Sequence, residues 1–297
     1  MIQLGWEVEP KLDWLSLCDA FLAGHRRPRA EIGDTFLYRD PDTMLSRAAW
    51  IDGLGLLVKT ATIFPGNAPD PAIGGAATLF SDADGSPQAL IDFRLLTKWK
   101  TAGDSLLGAR LLARPDSRRL LIVGAGTVAR SLTEAYRAAF PGIAVSIWSR
   151  SRSAARLAAE TGCEVADDLA AAVAAADIVS CATMSTDPVL RGEWLSPGTH
   201  VDLIGAYRPD MREADDATLR RATLFVDSRE TTLDHIGELR IPLAEGVIRR
   251  EDVVADLYDG DAVRRTSEQE VTLWKNGGGA HLDLMCADWM LGVSRGS

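Results

Sequence analysis

The fold of this chain is decided by RLLIVGAGTVARSLTEAYRAAF, residues 119–140. The run RLLIV predicts a buried strand, and TVARSLTEAYRAAF predicts a helix of about four turns. Between them, residues 124–129 read G-x-G-x-x-A. In this setting the pattern is typical of dinucleotide binding, because the glycines let the backbone approach a pyrophosphate and the helix N-terminus faces the phosphates. We assign to a dinucleotide Gly124, Gly126, Thr127 and Val128. An ordinary strand–helix turn without a ligand is the alternative.

Strands and helices alternate in the rest of this region. Four further strand-like runs are AVSIWSRS (144–151), ADIVSCAT (176–183), THVDLIGAY (199–207) and ATLFVDS (222–228). Such alternation indicates a parallel sheet with right-handed crossovers. We therefore predict an α/β protein with a Rossmann-type doubly wound parallel sheet over residues 116–276.

The first third of the chain follows a different pattern. LGLLVKTATIF (54–64) and GGAATLFSD (74–82) are rich in apolar and β-branched residues and are bounded by turn residues. The late segment TLWKNGGGAHLDLMCADWMLGV (272–293) has three consecutive glycines and then an amphipathic helical pattern. We predict an α+β domain over residues 1–115, to which residues 277–297 return.

Composition excludes several classes of protein. The 297 residues include 32 Lys and Arg against 42 Asp and Glu, a formal net charge of −10. We expect no nucleic-acid groove, since that would need clustered cations. No apolar run is long enough for a membrane span, and no signal peptide is evident, so we expect a cytoplasmic protein. The four cysteines and four histidines are dispersed, and we predict no metal site.

The end of the second predicted strand indicates the nucleotide. An acidic residue there would bind both ribose hydroxyls of NAD and repel a 2′-phosphate, but this chain has no acid at that place. It has Ser149, Arg150, Ser151 and Arg152 instead. Two guanidinium groups and two hydroxyls suit a 2′-phosphate. We predict NADP(H) as the cofactor, with NAD(H) possible and a solvated basic loop as the alternative.

Several blocks together resemble the ornithine cyclodeaminase/mu-crystallin family. They are LTKWKTAGDSLLGARLLARPDSRRLLIVGAGTVA (96–129), GTHVDLIGAYRPDMREAD (198–215), VKTATIFPGN (58–67), LFSDADGSPQALID (79–92) and TLWKNGG (272–278). The resemblance implies a nicotinamide-binding Rossmann domain and a second domain that binds the substrate and forms a homodimer. It also implies chemistry at a carbon that bears nitrogen and a carboxylate.

The resemblance implies three cations for the substrate carboxylate: Arg29, Lys59 and Lys100. Lys100 is a departure, because the family has an arginine at the start of that helix. A lysine supplies charge but cannot make the planar two-pronged contact of a guanidinium. Each of the three could instead be a solvated surface charge.

A second departure distinguishes between reactions. Cyclodeaminases carry an aspartate two residues before a proline after the fifth strand, whereas the matching residue before Pro209 is Tyr207. Reduction of a preformed imine does not need that carboxylate. We therefore predict NADPH-dependent reduction of a cyclic imino acid, such as 1-pyrroline-2-carboxylate or 1-piperideine-2-carboxylate, to the L-amino acid. The alternatives are ornithine cyclodeamination with bound NAD and a non-catalytic protein in which NADPH controls the binding of a small ligand.

Two residues are candidate proton donors. An ammonium group that loses water in an apolar strand gives up its proton more readily, which favours Lys59. Asp202 lies near the carboxyl end of a strand, where ligands bind in open α/β sheets, although a hydrogen-bonded structural aspartate is an equal alternative. We also expect Thr183 and Lys275 to meet the nicotinamide.

Overall fold

The computed structural model describes residues 1–67 and 69–296, which divide into two compact units. The first comprises residues 1–100 and the C-terminal segment from 278, and the second comprises residues 101–277. The division falls inside a helix, α2, at Phe93–Leu112, rather than at the predicted position 115/116. The second half of α2 belongs to the second unit because it packs there: a Cβ on Gly108 would lie 2.4 Å from Trp274. The roles assigned to the two domains stay predictions.

Among the described residues, the first unit forms a six-stranded sheet in the order β1-β6-β5-β4-β3-β2. Neighbouring strands are antiparallel except for β1 and β6, which are parallel. Its strands are β1 (Ile2–Leu4), β2 (Glu31–Arg39), β3 (Asp42–Ile51), β4 (Gly55–Ile63), β5 (Ile73–Phe80) and β6 (Pro87–Asp92). Its helices, besides the start of α2, are a 3₁₀ helix (Trp6–Lys11), α1 (Trp14–His25) and the C-terminal helix α9 (Ala280–Ser294).

Side-chain alternation along β4 defines the buried face of this sheet. Leu57, Lys59 and Ala61 are buried, whereas the intervening Val58 is exposed. Because successive side chains of a strand point to opposite faces, Lys59 lies on the same face as two apolar residues. Helix α9, which is largely buried, packs against β3 and β4. The charged end of Lys59 is therefore enclosed within the first unit.

The described part of the second unit contains an eight-stranded parallel sheet in the order β13-β12-β14-β11-β10-β7-β8-β9. Its strands are β7 (Arg119–Val123), β8 (Ala144–Trp148), β9 (Glu164–Val165), β10 (Ile178–Cys181), β11 (His200–Leu203), β12 (Thr223–Val226), β13 (Val253–Asp256) and β14 (Thr272–Lys275). The helices are α3 (Thr127–Ala139), α4 (Ser153–Thr161), α5 (Leu169–Ala175), α6 (Asp216–Arg221), α7 (Arg229–Thr232) and α8 (Gly237–Ala244), with 3₁₀ turns at Gly192–Trp194, Arg250–Asp252 and Leu257–Ala262. The predicted Rossmann-type fold is confirmed.

The order of the strands reverses between β7 and β10, which is the place where open α/β sheets bind ligands. The glycine turn predicted from residues 124–129 follows β7 at this point. Three strands were not predicted. β9 and β13 lie at the two edges of the sheet, and β14 lies between β11 and β12 in its centre. All four of its residues are buried, so its sequence has no alternation that would mark a strand.

None of the helices in the described part of the chain is long and apolar enough to cross a membrane.

Candidate functional site

The glycine turn after β7 has the backbone geometry that a bound pyrophosphate requires. Gly124 has φ +122°, and a Cβ there would lie 2.5 Å from the carbonyl oxygen of Ala182. Gly126 is the N-cap of α3, and a Cβ there would meet no atom of the described residues within 4 Å. No side chain of the described residues caps α3, so the N–H groups of Thr127 and Val128 are available to an anion. The four residues assigned to a dinucleotide fit one.

The loop after β8 presents the two arginines assigned to the 2′-phosphate. Ser149 shapes this loop, because its hydroxyl donates to the carbonyl of Ser151 at 2.6 Å and accepts from the Ala154 N–H at 3.1 Å. Arg150 and Arg152 are exposed, and no carboxylate of the described residues forms an ion pair with either. The loop can therefore offer both charges to a phosphate.

A buried carboxylate that the sequence reasoning missed holds the ends of β10 and β11. Glu213 accepts hydrogen bonds from the N–H and hydroxyl of Thr183 at 2.7 and 2.8 Å, and from the N–H of Gly205 at 2.6 Å. Burial and the nearby charge of Glu238 raise the pKa of Glu213 to about 8. Ala182, the residue before Thr183, lies against Gly124. The structure therefore brings Thr183 near the glycine turn, and both were predicted to belong to the cofactor site. Its contact with nicotinamide stays a prediction.

Lys275 lies at the end of β14, inside the second unit. Its ammonium group is fully buried and donates to three backbone carbonyls, those of Leu203, Ala206 and Asn276, at 2.7 to 3.0 Å. An ammonium group has three N–H donors, and these contacts use all of them. This geometry favours a structural role over the predicted contact with nicotinamide.

Asp202 is likewise enclosed in the second unit. Its carboxylate accepts hydrogen bonds from the Ser180 hydroxyl and, at 3.4 Å, from the Tyr136 hydroxyl, and the residue is fully buried. Burial raises the pKa of Asp202 to about 6. These contacts favour a structural role for Asp202, and its catalytic role stays a prediction.

Two of the three predicted substrate cations come together in the first unit. The Nζ atom of Lys59 lies 2.8 Å from one carboxylate oxygen of Asp283, on α9, and that of Lys100 lies 3.7 Å from the other. Lys100 also donates to the carbonyl of Gly278 at 2.6 Å, and so does Arg47 at 3.1 Å. We call Arg47, Lys59, Lys100 and Asp283 the cation cluster.

The positive charges of the cation cluster keep the carboxyl group of Asp283 ionised. Burial would raise the pKa of Asp283, but the positive charges of Lys100, Lys59 and Arg47 outweigh this effect and hold it below its ordinary value. Asp283 is fully buried, so its charge depends on these cations rather than on water. The sequence contained one signal for it, a carboxylate within the apolar run of α9.

Arg29, the third predicted cation, is exposed at the edge of the same region. Burial, and secondarily the charge of Arg29, lowers the pKa of His25 to about 4. The His25 ring is 5.3 Å from that of His281, whose pKa burial and its positive neighbours lower well below 6.5. Both imidazoles are therefore neutral near pH 7, and the charges of Arg29 and of the cation cluster contribute to this.

In the described residues, no group of three or more His, Cys, Asp or Glu side chains could hold a metal ion.

These features define a Rossmann-type α/β protein that carries a buried cluster of cations in a separate unit. The chain belongs to the ornithine cyclodeaminase/mu-crystallin family, which it matches over residues 56–291.

Relatives with assigned names are similar to most of the chain. It is 55% identical over 298 residues to a Delta(1)-pyrroline-2-carboxylate reductase of Paracoccus denitrificans, covering 96% of this chain and 94% of that protein. It is 34% identical over 238 residues to the mouse ketimine reductase mu-crystallin, covering 78% and 74%. Among solved structures, it resembles the Thermococcus litoralis Delta(1)-pyrroline-2-carboxylate reductase in complex with NADH and L-proline, with a TM-score of 0.89, 25% identity, and coverage of 100% of this chain and 98% of that one.

Proposed function

We propose that this chain catalyses the NAD(P)H-dependent reduction of a cyclic imino acid to the L-amino acid. The observation that carries the proposal is the buried cation cluster, in which Lys59 and Lys100 are each 6% exposed. Lys59, Lys100 and Arg47 lie together around Asp283, and Asp34 is a further ion-pair partner of Arg47. Ammonium and guanidinium groups gathered at one buried place suit an anionic ligand, and a substrate carboxylate is such a ligand. The Paracoccus denitrificans and Thermococcus litoralis relatives are named as reductases of pyrroline-2-carboxylate, which carries such a carboxylate.

The residues of the first unit bind and orient the substrate. Lys59 and Lys100 hold its carboxylate, with Arg29 at the edge, and Lys59 keeps a proton at the ring nitrogen. When bound, the nicotinamide supplies a hydride to the C=N carbon, so that imine, reduced cofactor and one proton yield amine and oxidised cofactor. Fixed positive charge and positioning supply most of the rate acceleration.

NADPH is the preferred cofactor in this proposal. The exposed Arg150 and Arg152 and the absence of an acid at the end of β8 support it, since a carboxylate there would repel a 2′-phosphate. The Thermococcus litoralis relative is described with NADH, and use of NADH by this chain remains part of the proposal.

The proposal also includes a homodimer in a reducing compartment, the cytoplasm. Phe36, Leu37 and Tyr38 on the edge strand β2 are 47%, 58% and 75% exposed. Such an apolar edge supports pairing with a second copy. All four cysteines lie in the described part of the chain and none of them forms a disulfide, which supports the reducing compartment. Size-exclusion chromatography with light scattering tests the dimer, and a monomer at micromolar concentration would contradict it.

A panel of imines tests the function. Purified protein is mixed with NADPH and 1-pyrroline-2-carboxylate, 1-piperideine-2-carboxylate or a linear ketimine, and the absorbance of NADPH is followed. We expect oxidation that depends on a cyclic imine. Conversion of ornithine to proline and ammonia without net change in cofactor would support cyclodeamination instead. Binding of NADPH without oxidation by any imine would support the non-catalytic alternative.

A further inference from the structure

We propose that Arg47 is a substrate-binding residue. Its guanidinium group binds the substrate carboxylate through the bidentate contact that Lys100 cannot make. This inference rests on the proposed function. It starts from the register of the sheet: Arg47 on β3 is paired directly with Lys59 on β4. Side chains opposite each other on antiparallel strands share a face, with Cβ atoms about 5 Å apart. Arg47 therefore stands beside the lysine assigned to the substrate.

The partners of Arg47 place its charged end beside Lys100 as well. Its Nη1 atom lies 3.1 Å from the carbonyl oxygen of Gly278, which also accepts from Lys100 at 2.6 Å. One carbonyl oxygen thus bridges the guanidinium and ammonium groups. The charge of Arg47 also reaches Asp283 and lowers its pKa, together with the two lysines. Arg47 belongs to the same electrostatic group as both predicted carboxylate ligands.

The guanidinium group retains donors for a ligand. It has five N–H groups. Among the described residues it makes three hydrogen bonds: two to the carboxylate of Asp34, at 2.9 and 3.4 Å, and one to Gly278. Two N–H donors are left over. The ion pair with Asp34 is partly exposed to solvent, since the side chains of Arg47 and Asp34 are 26% and 30% exposed. It holds the guanidinium plane in place without neutralising the buried lysines.

Three cations lie near one another at this position. Cations directly opposite each other on neighbouring strands repel, and Lys100 adds a third charge to the pair of Arg47 and Lys59. Asp283 offsets part of this repulsion from the side of α9. A substrate carboxylate held by Arg47 would reduce this repulsion further. Its contact with the guanidinium would also replace the planar recognition lost where Lys100 stands in place of the family arginine.

Substitutions at Arg47 test the inference. For Arg47→Met, we expect the KM for 1-pyrroline-2-carboxylate to rise at least about tenfold, as for the loss of a hydrogen bond to a charged group. We expect the Kd for NADPH to stay unchanged, because the residues assigned to the cofactor lie in the second unit. Arg47→Lys keeps the positive charge but cannot make a bidentate contact, so we expect a smaller rise in KM, of at least about threefold. A KM within twofold of the wild type for either variant would overturn the inference.

Two matched variants separate binding from a role in the sheet. Asp34→Asn breaks the same ion pair but leaves the guanidinium, so we expect a rise in KM below about threefold. Arg39→Met removes an arginine from the same hairpin, paired with Asp42 at 2.6 Å and 79% exposed, and should match the wild type. If Asp34→Asn raised KM as much as Arg47→Met, Arg47 would act only through that ion pair, and the inference would be overturned.

Calorimetry separates this inference from the proposed function. Pyrrole-2-carboxylate is a flat, unreactive analogue of the imine, and its binding needs no turnover. We expect Arg47→Met to weaken its binding at least about tenfold, as for the loss of a hydrogen bond to a charged group. Wild-type protein that reduced no imine would contradict the proposed function, whereas equal binding of the analogue by wild type and Arg47→Met would contradict the role of Arg47.

Discussion

Replacing Lys59 by Met removes a buried ammonium group while keeping a side chain of similar length. The Lys59 Nζ atom is 2.8 Å from Asp283, with side chains 7% and 0% exposed. Loss of a charge-assisted contact with the substrate costs about 1.5–3 kcal/mol, or about 10- to 150-fold in kcat/KM, and loss of a positioned proton donor costs a further factor of about 100 or more. We therefore expect kcat/KM for the imine to fall by at least about 1,000-fold.

The same substitution should also destabilise the first unit. Breaking a buried ion pair costs about 3–5 kcal/mol, and because Lys100 stays near Asp283 we expect a loss of about 3 kcal/mol in the free energy of unfolding. Urea unfolding measures this loss, NADPH oxidation measures turnover, and a fluorescence titration should show unchanged NADPH binding.

Lys98→Met is the matched control for this experiment. Lys98 lies in the same unit and forms an ion pair of the same length, 2.8 Å, with Glu9, but its side chain and that of Glu9 are 15% and 26% exposed. A more exposed pair contributes about 1 kcal/mol or less, so stability and turnover should stay near those of the wild type. If Lys59→Met kept kcat/KM within about threefold of the wild type, the assignment of the substrate pocket would be wrong.

The cofactor loop and Asp202 support two further predictions. Replacing both Arg150 and Arg152 by Ser should raise the KM for NADPH about tenfold or more and leave that for NADH unchanged. An equal effect on both cofactors in steady-state kinetics would contradict the 2′-phosphate assignment. Burial raises the pKa of Asp202 from 3.8 to about 6, so the folded state binds this proton more tightly. That stabilisation is present below about pH 4 and is lost as the pH rises through about 6, an effect of about 3 kcal/mol. Asp202→Asn should remove this pH dependence from urea unfolding and keep imine turnover. Parallel stability profiles or lost turnover would contradict the structural role.

The glycine turn could be predicted from the sequence because it depends on local geometry. Gly124 needs a positive φ and a close approach to Ala182, and Gly126 needs open space, so both positions leave a pattern within six residues. The strands that alternate with helices were equally visible in the apolar runs. Strand β14 was not, because four buried residues between loops have neither the length nor the alternation that marks a strand.

The cation cluster was only partly predictable. Lys59 and Lys100 were identified through the family resemblance, whereas Arg47 and Asp283 were missed. The place of Arg47 beside Lys59 depends on the register of β3 against β4, which is a long-range property of the sheet. Asp283 meets Lys59 across 224 residues of chain. Pairings of this kind depend on tertiary packing and leave no local pattern.

The functional roles predicted for Lys275 and Asp202 stay predictions, and the structure offers a structural alternative for each. Asp202 lies on a predicted strand and Lys275 lies in the late segment TLWKNGG, and both positions suggested contact with a ligand. The structure gives each a set of partners within the second unit: carbonyl oxygens for Lys275, and hydroxyls for Asp202. A buried polar group must be hydrogen-bonded wherever it lies, so the type of residue at a strand end does not separate a structural role from a catalytic one.

The central claim is that a hydride passes directly from the nicotinamide to the C=N carbon of a cyclic imino acid. Mass spectrometry of the product tests it most directly. The protein is incubated with 1-pyrroline-2-carboxylate and NADPH that carries deuterium at the transferred position of C4. We predict L-proline with a single deuterium at Cα, formed in equal amount to oxidised cofactor. Proline without deuterium, or no proline from the imine together with proline and ammonia from ornithine, would contradict the account.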